Sequence, residues 1–394
     1  MITNPFSQRA ANVMAAAAPI FRFAVESPIV QKRGQPGICD FLFGDPHDMP
    51  IPAFAEAMAR WSVPQNKDWF AYKMSEPTAQ KIVADTLREL RGLPFDPDDI
   101  FMTNGAFAAL AVSIGALADP GDEIIFISPP WFFYEAMIVS HGVRPVRVKA
   151  NPPAFDLDLD AIAAAITERT RAIIVNSPNN PTGRVYPPQT LVALARLLTE
   201  VSERIGRTIY LLSDESYSRI VFDGRDYPSP TAYYPNTFLL YTYGKTLLTP
   251  GQRIGYIALP PTMPHREDLR PALTASQLVT GYAFPNALLQ HALPDLEKLS
   301  IDLEHLQEKR DRLLGALREM GYSVHMPEGT FYLLPRSPLA DDWAFADLLA
   351  EHNVLVMPGS VVELPGHFRV SLTANDDMIE RSLPGFKAAI ESIH

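Results

Sequence analysis

From about residue 77 to residue 260, short apolar runs alternate with segments of helical period. The runs Ile100–Thr103, Glu123–Ser128, Pro145–Lys149, Ala172–Asn176, Thr208–Ser213 and Thr237–Tyr243 are largely continuous in Ile, Val, Leu and Phe. The segments between them, Pro77–Arg91, Ala106–Leu117, Phe132–His141, Leu159–Thr167 and Pro188–Ile205, predict helices. A strand apolar on both faces suits a sheet covered on both sides, with helices as crossovers between parallel neighbours. The pattern therefore predicts α/β architecture: a mostly parallel, doubly wound central sheet flanked by helices.

The flanks read differently. Helical stretches are expected near Gln8–Ala18 and Phe21–Glu26, followed by a Gly/Pro-rich turn over Asp40–Pro50 and a helix over Pro52–Trp61. After about 285 the order changes to a long helix, Asp295–Met320, and short extended pieces at Ser323–His325, Thr330–Leu334, Val354–Met357 and His367–Leu372. Helices over Trp343–His352 and Asn375–Ile393 complete a smaller α+β domain. The expected division is an N-terminal arm belonging partly to the small domain (1–45), a large domain (46–285) and a C-terminal small domain (286–394), with Leu259–Pro264 as a linker region.

Composition narrows the function. A formal net charge of -11 argues against nucleic acid or an anionic membrane as the main partner. The apolar run Met14–Ile20 is short and is followed by Arg22 and Glu26, so neither a signal peptide nor a spanning helix is expected. Cys39 is the one cysteine, which excludes an intramolecular disulfide and suits a reducing cytoplasm. The nine histidines show no metal-ligand spacing, and no metal is expected.

Polar motifs recur where the expected strands end: Thr103-Asn104-Gly105-Ala106, Asn176 through Gly183, Ser213-Asp214-Glu215-Ser216-Tyr217 and Gly244-Lys245. In open α/β sheets ligands bind outside the carboxyl ends of strands, so these four should meet at one site. Gly244-Lys245-Thr246 resembles the end of a phosphate-binding P-loop, but that loop needs glycine at 239, where this chain has Leu239. A lysine at the mouth of a sheet suits Schiff-base chemistry instead, because desolvation lowers its pKa from about 10.4 and frees the amine. The helix start after Asn104-Gly105-Ala106 and the fork of Arg253 suit a phosphate. Asp214 could hold the proton of a pyridinium nitrogen, Asn180 and Tyr217 could bond a ring oxygen, and Trp131 could stack on a ring. Together these services describe pyridoxal 5′-phosphate.

Those residues carry a resemblance. The chain resembles the class I/II aminotransferases, the fold-type-I pyridoxal-phosphate enzymes of the aspartate aminotransferase superfamily. The similarity runs from Gly44-Asp45-Pro46 to Phe368-Arg369, with Asn179-Asn180-Pro181-Thr182-Gly183, Asp214-Glu215-Ser216-Tyr217 and Lys245 through Arg253 and Gly255 in order. It implies that Lys245 condenses with the cofactor aldehyde and shuttles the substrate proton, and that Asp214 pairs with the ring nitrogen. By the same resemblance Asn180 and Tyr217 bond the ring oxygen and Trp131 stacks on the ring. Gly105, Ala106, Thr242 and Arg253 would hold the phosphate, and Arg369 would clamp the substrate carboxylate with Gly44 and Asn180 assisting. Tyr72 would reach the phosphate of a neighbouring subunit, implying a homodimer with shared active sites. One departure stands out: the usual Ser-x-Ser-Lys is Thr242-Tyr243-Gly244-Lys245 here, so one hydroxyl is missing beside the lysine.

The implied reaction is transfer of an α-amino group between an L-amino acid and a 2-oxo acid. The same fold also hosts lyases, cyclases and oxidases acting on the same cofactor-bound amino acid, and silent sensors. Trp69, Phe70, Phe132, Phe133, Tyr282 and Phe284 are candidates for an apolar substrate pocket, favouring an apolar or aromatic donor. Arg22 and Arg33 are the remaining candidates for a second carboxylate.

Overall fold

The computed structural model describes residues 5–393. Its centre is a seven-stranded sheet of β1 (Ile100–Thr103), β2 (Glu123–Ser128), β3 (Arg144–Lys149), β4 (Thr170–Asn176), β5 (Tyr210–Asp214), β6 (Thr237–Thr242) and β7 (Gly255–Ala258). The spatial order is β1-β7-β6-β5-β4-β2-β3. Strand β7 runs antiparallel to both β1 and β6, and the remaining neighbours are parallel. All residues of β1, β2, β5, β6 and β7 are buried, as a sheet covered on both faces requires. The parallel, doubly wound architecture is thus present, with one antiparallel strand inserted.

That inserted strand shapes the site. Gly255 lies opposite both Thr103 and Thr242, so the start of β7 meets the carboxyl ends of β1 and β6. A Cβ at Gly255 would fall 2.2 Å from the Tyr241 carbonyl oxygen and 2.8 Å from Gly105 Cα. Only glycine lets the three segments converge this closely. Beneath them the helix Ala106–Leu117 is apolar almost all round and largely buried, which places its N-terminus at the same edge.

Outside the sheet the structure corrects three expectations. The helix expected over Asp295–Met320 is two helices, Ala287–Leu296 and Leu303–Glu319. Asp302 accepts a hydrogen bond from the His305 N–H and starts the second, so an N-cap interrupts a pattern that periodicity joined. Ser323–His325 forms no strand. The helix Arg266–Val279 was not anticipated, because its charged first turn and internal Pro271 mask the few residues it buries, Leu273, Ser276 and Gln277.

The C-terminal part holds a three-stranded antiparallel sheet, Met357–Pro358, Phe368–Ser371 and Tyr332–Leu333, with Arg369 on the middle strand. The N-terminal segment joins it: Cys39–Asp40 pairs in parallel with Val354–Leu355. Ala17, Ile20, Phe23, Ile29 and Phe41 share one core with Leu313, Phe345, Leu355 and Phe386. Among the described residues no single helix is long and apolar enough to cross a membrane. The pair Gln8–Ala16 and Ala18–Gln31 reaches that length only together and bends by 65°.

Candidate active site

A cavity of about 240 Å³ opens at the carboxyl edge of the sheet. Gly44, Ala106, Trp131, Asn180, Asp214, Tyr217, Thr242, Lys245, Arg253 and Arg369, all singled out from sequence, line it. Gly105 stands directly behind it, and Tyr72 lies outside. Tyr72 is 87% exposed, with its ring centre 4.8 Å from that of Phe284.

One end of the cavity is a cationic cradle. Gly105 has φ 82°, and a Cβ there would come within 2.7 Å of Arg253 Nη2 and 3.2 Å of Thr242 Oγ1. The backbone of the helix start, the Thr242 hydroxyl and the Arg253 guanidinium therefore surround one small space. Arg253 donates from Nη1 to the Pro250 carbonyl at 2.8 Å, and no carboxylate pairs with it among the described residues. Burial alone lowers its pKa from the ordinary arginine value. A solvent-accessible cation with free donors beside a helix N-terminus is suited to an anion.

Asp214 ends β5 on the cavity floor and is buried. Its Oδ2 accepts from the Tyr134 hydroxyl at 2.6 Å, and its Oδ1 from the Ser216 N–H at 3.2 Å and the Ser216 hydroxyl at 2.5 Å. Burial raises its pKa, while these donors and the charge of Lys245 pull it back down. Burial likewise pushes the Tyr217 hydroxyl well above 10, with the neighbouring Tyr332 adding to the rise. Asn180 stands on a loop whose polar groups are satisfied internally. Asn176 accepts from the Asn180 N–H at 2.7 Å and donates to the Asp214 carbonyl at 2.9 Å. Asn179 Oδ1 accepts from both the N–H and the hydroxyl of Thr182, at 3.1 and 2.9 Å. The loop is fixed before any ligand arrives.

Lys245 sits on the helical turn Tyr243–Thr246 that follows β6. Its Nζ lies 5.7 Å from the centre of the Tyr217 ring and 5.5 Å from that of Phe331. Across the cavity Arg369 is 2% exposed. It donates to Asn180 Oδ1 at 3.2 Å and to the Leu42 carbonyl at 2.9 Å, and its guanidinium lies 4.2 Å from the centre of the Tyr332 ring. Its Nε is buried without a partner, and no carboxylate pairs with it among the described residues. Burying an uncompensated charge is costly, so such an arginine is suited to an anionic ligand.

Of the aromatic candidates for the pocket, only Phe132 reaches this cavity. Trp69 is buried and stacks on His291 at 3.6 Å, so it belongs to the core. Phe70 and Phe284 are exposed, and Phe133 and Tyr282 line an adjoining groove. Arg22 is exposed, and Arg33 is engaged by Asp40 at 2.7 Å and Asp45 at 3.2 Å. Tyr134, Ser216, Tyr332, Phe43 and Phe107 were missed. Nothing local to residue 134 indicates that its hydroxyl meets a carboxylate 80 positions away.

The profile of the family "Aminotransferase class I and II" matches residues 37–384. The chain belongs to the class I and II aminotransferases. An aspartate/prephenate aminotransferase from Thermus thermophilus is 33% identical over 87% of this chain and 88% of its own length. A solved aminotransferase from Eubacterium rectale superposes with a TM-score of 0.89 at 30% identity, covering 100% of this chain and 99% of its own. The Thermus thermophilus aspartate aminotransferase with maleate gives a TM-score of 0.80 at 28% identity, covering 98% of this chain and 100% of its own. Aminotransferases of this class use pyridoxal phosphate and act on amino acids and 2-oxo acids. The fold of this aminotransferase is accordingly that of a fold-type-I pyridoxal-phosphate transferase.

Proposed function

We propose that this aminotransferase carries pyridoxal 5′-phosphate on Lys245 and moves the amino group of an L-amino acid with an apolar or aromatic side chain to a 2-oxo acid. The observation that carries the reading is the pair of arginines without carboxylate partners, Arg253 and Arg369, lining the cavity that also holds Lys245. One suits a phosphate and the other a substrate carboxylate, and the Lys245 amine lines the same cavity.

The residues present fit the cofactor. Gly105, Ala106, Thr242 and Arg253 would hold the phosphate in a space that a single Cβ at 105 would fill. Asp214, oriented by Tyr134 and Ser216, would pair with the ring nitrogen, Asn180 and Tyr217 would bond the ring oxygen, and Trp131 would stack on the ring. The bound cofactor supplies an electron-withdrawing ring and an aldehyde carbon. Arg369 holds the substrate carboxylate as a fork, assisted by Asn180 and by the backbone at Gly44. A Cβ at Gly44 would fall 2.6 Å from the Tyr332 hydroxyl, so the chain passes close to the site there. With the carboxylate fixed, Lys245 Nζ, displaced from the aldehyde carbon by the substrate amine, would take the Cα proton and deliver it to that carbon, a positioned transfer contributing on the order of 10²–10⁴-fold.

The donor preference rests on the apolar lining residues Phe43, Phe107, Leu110, Trp131 and Phe132, beside which Asp45 also lines the cavity. With Arg253 assigned to the phosphate and Arg369 to the α-carboxylate, no further arginine lines the cavity for a second carboxylate among the described residues. Burying an unpaired carboxylate there would cost several kcal/mol, whereas an aromatic side chain gains roughly 25 cal/mol per Å² buried. A second copy of the chain is proposed to cover the exposed Tyr72, Phe70 and Phe284, so that each Tyr72 reaches its neighbour's phosphate site. A cytoplasmic setting suits the buried, unpaired Cys39.

The test is a donor panel that includes phenylalanine, leucine and aspartate, with 2-oxoglutarate and pyruvate as acceptors, assayed for new amino acid and for free ammonia. Aromatic or aliphatic donors should give the higher kcat/KM. Higher kcat/KM with aspartate would refute the preference, and ammonia formed without an acceptor would mark a lyase.

A further inference from the structure

The turn that carries Lys245 lacks the usual serine. At Gly244, which has no side chain to hold the turn, a Cβ would sit 3.3 Å from Pro250 Cα, tighter than an ordinary contact. It is held from behind. The Tyr243 hydroxyl donates to Glu297 Oε2, and Arg219 Nη2 pairs with Glu297 Oε1. Arg219 lies over both tyrosines that precede the lysine, 4.7 Å from the ring centre of Tyr241 and 5.7 Å from that of Tyr243. The Tyr241 hydroxyl is 2.7 Å from Thr246 Oγ1, and the Thr246 carbonyl accepts from the Ile301 N–H at 2.9 Å. Tyr241, Tyr243 and Thr246 are each 1% exposed.

Glu297 lies in the short connection between the helices Ala287–Leu296 and Leu303–Glu319. Arg219 follows Tyr217 by two residues, and Tyr243 precedes Lys245 by two. One buried carboxylate therefore ties together the two segments that present Tyr217 and Lys245. We infer that Glu297 is a positioning residue for Lys245, acting through Tyr243 and Arg219 in place of the missing serine hydroxyl. The inference rests on the proposed role of Lys245.

Near-attack geometry makes such a role measurable. A misplacement of about 1 Å at a reacting amine costs on the order of 10²-fold, and loss of a supporting contact typically costs about 10–100-fold. Tyr243→Phe removes only the hydroxyl that reaches Glu297 and keeps the ring that Arg219 covers. In the holoenzyme it should lower kcat about 10-fold or more while leaving the donor KM within about twofold, since Arg369 is untouched. The visible absorption band of the lysine-bound cofactor should shift or broaden in the same variant, a spectroscopic signature that needs no turnover. Glu297→Ala should lower kcat at least as far, and the double variant should lose no more than Glu297→Ala alone, because the two groups act as one unit. Wild-type kcat and band in Tyr243→Phe, or losses that simply multiply in the double variant, would overturn the inference. A wild-type protein that forms no absorbing adduct with pyridoxal 5′-phosphate would overturn the proposed function and this inference with it. An adduct in the wild type and an unchanged Tyr243→Phe would overturn this inference alone.

Discussion

Replacing Arg369 separates a binding role from a structural one. The side chain is buried and makes two ordinary contacts, to Asn180 Oδ1 and to the Leu42 carbonyl, with Nε unsatisfied. A substrate carboxylate would add two charge-assisted hydrogen bonds worth roughly 1.5–3 kcal/mol each. Arg369→Met should therefore cost about 3–6 kcal/mol in transition-state stabilisation, a fall of roughly 10²–10⁴ in kcat/KM. In the cofactor-free protein two effects oppose each other. Losing both bonds leaves acceptors unsatisfied at about 1–3 kcal/mol each, while removing an uncompensated buried charge returns several kcal/mol. Unfolding free energy should consequently change by less than about 1.5 kcal/mol. Steady-state kinetics for the best donor, set beside urea unfolding of the same preparation, measures both quantities. Unchanged kcat/KM with a loss of stability above about 3 kcal/mol would refute the reasoning, because Arg369 would then be holding the fold and not the substrate.

Three further outcomes are expected. Lys245→Ala should abolish turnover and the cofactor's lysine-dependent absorption band together; retention of either would remove the amine from the chemistry. Gly105→Ala forces a Cβ against Arg253 at a φ of 82°, so titration by fluorescence quenching should show cofactor affinity weakened roughly 10–100-fold and backbone strain should destabilise the protein by about 1–3 kcal/mol. Arg207 donates to both oxygens of Asp122, at 2.7 and 2.6 Å, and holds that carboxyl below its ordinary value of 3.8. Its folded-state pKa being depressed, the pair contributes stability above about pH 3.8 that is lost as pH falls through the lower folded value. Arg207→Ala should remove about 1 kcal/mol at neutral pH and less at pH 3, read from urea midpoints at the two pH values.

The legible part of this site was the part written as local motif at strand ends. Asp214, Tyr217, Asn180, Lys245 and Arg253 lie within or beside runs whose apolar periodicity marks where strands stop, and the edge rule for open sheets brings them together. Tyr134 and Tyr332 were not legible, because each acts through a hydroxyl whose partner, Asp214 or Tyr217, is far away in sequence. Trp69 and Phe132 both stand in aromatic-rich stretches, yet one stacks on His291 in the core and the other lines the cavity. Burial of an aromatic ring satisfies the same hydrophobic drive in either place, so composition cannot separate them.

Alternating apolar runs and helical segments were sufficient to specify a doubly wound sheet, since a strand apolar on both faces has to be covered on both. Ordered motifs at the strand ends were sufficient to point to the class I and II aminotransferases, the family to which the chain belongs. Tertiary structure alone decided that β7 enters antiparallel between β1 and β6, because register depends on glycine contacts between segments distant in sequence. It alone left Arg253 and Arg369 without carboxylates among the described residues and placed Glu297 behind the lysine, since which charges meet is a property of packing and not of neighbouring residues.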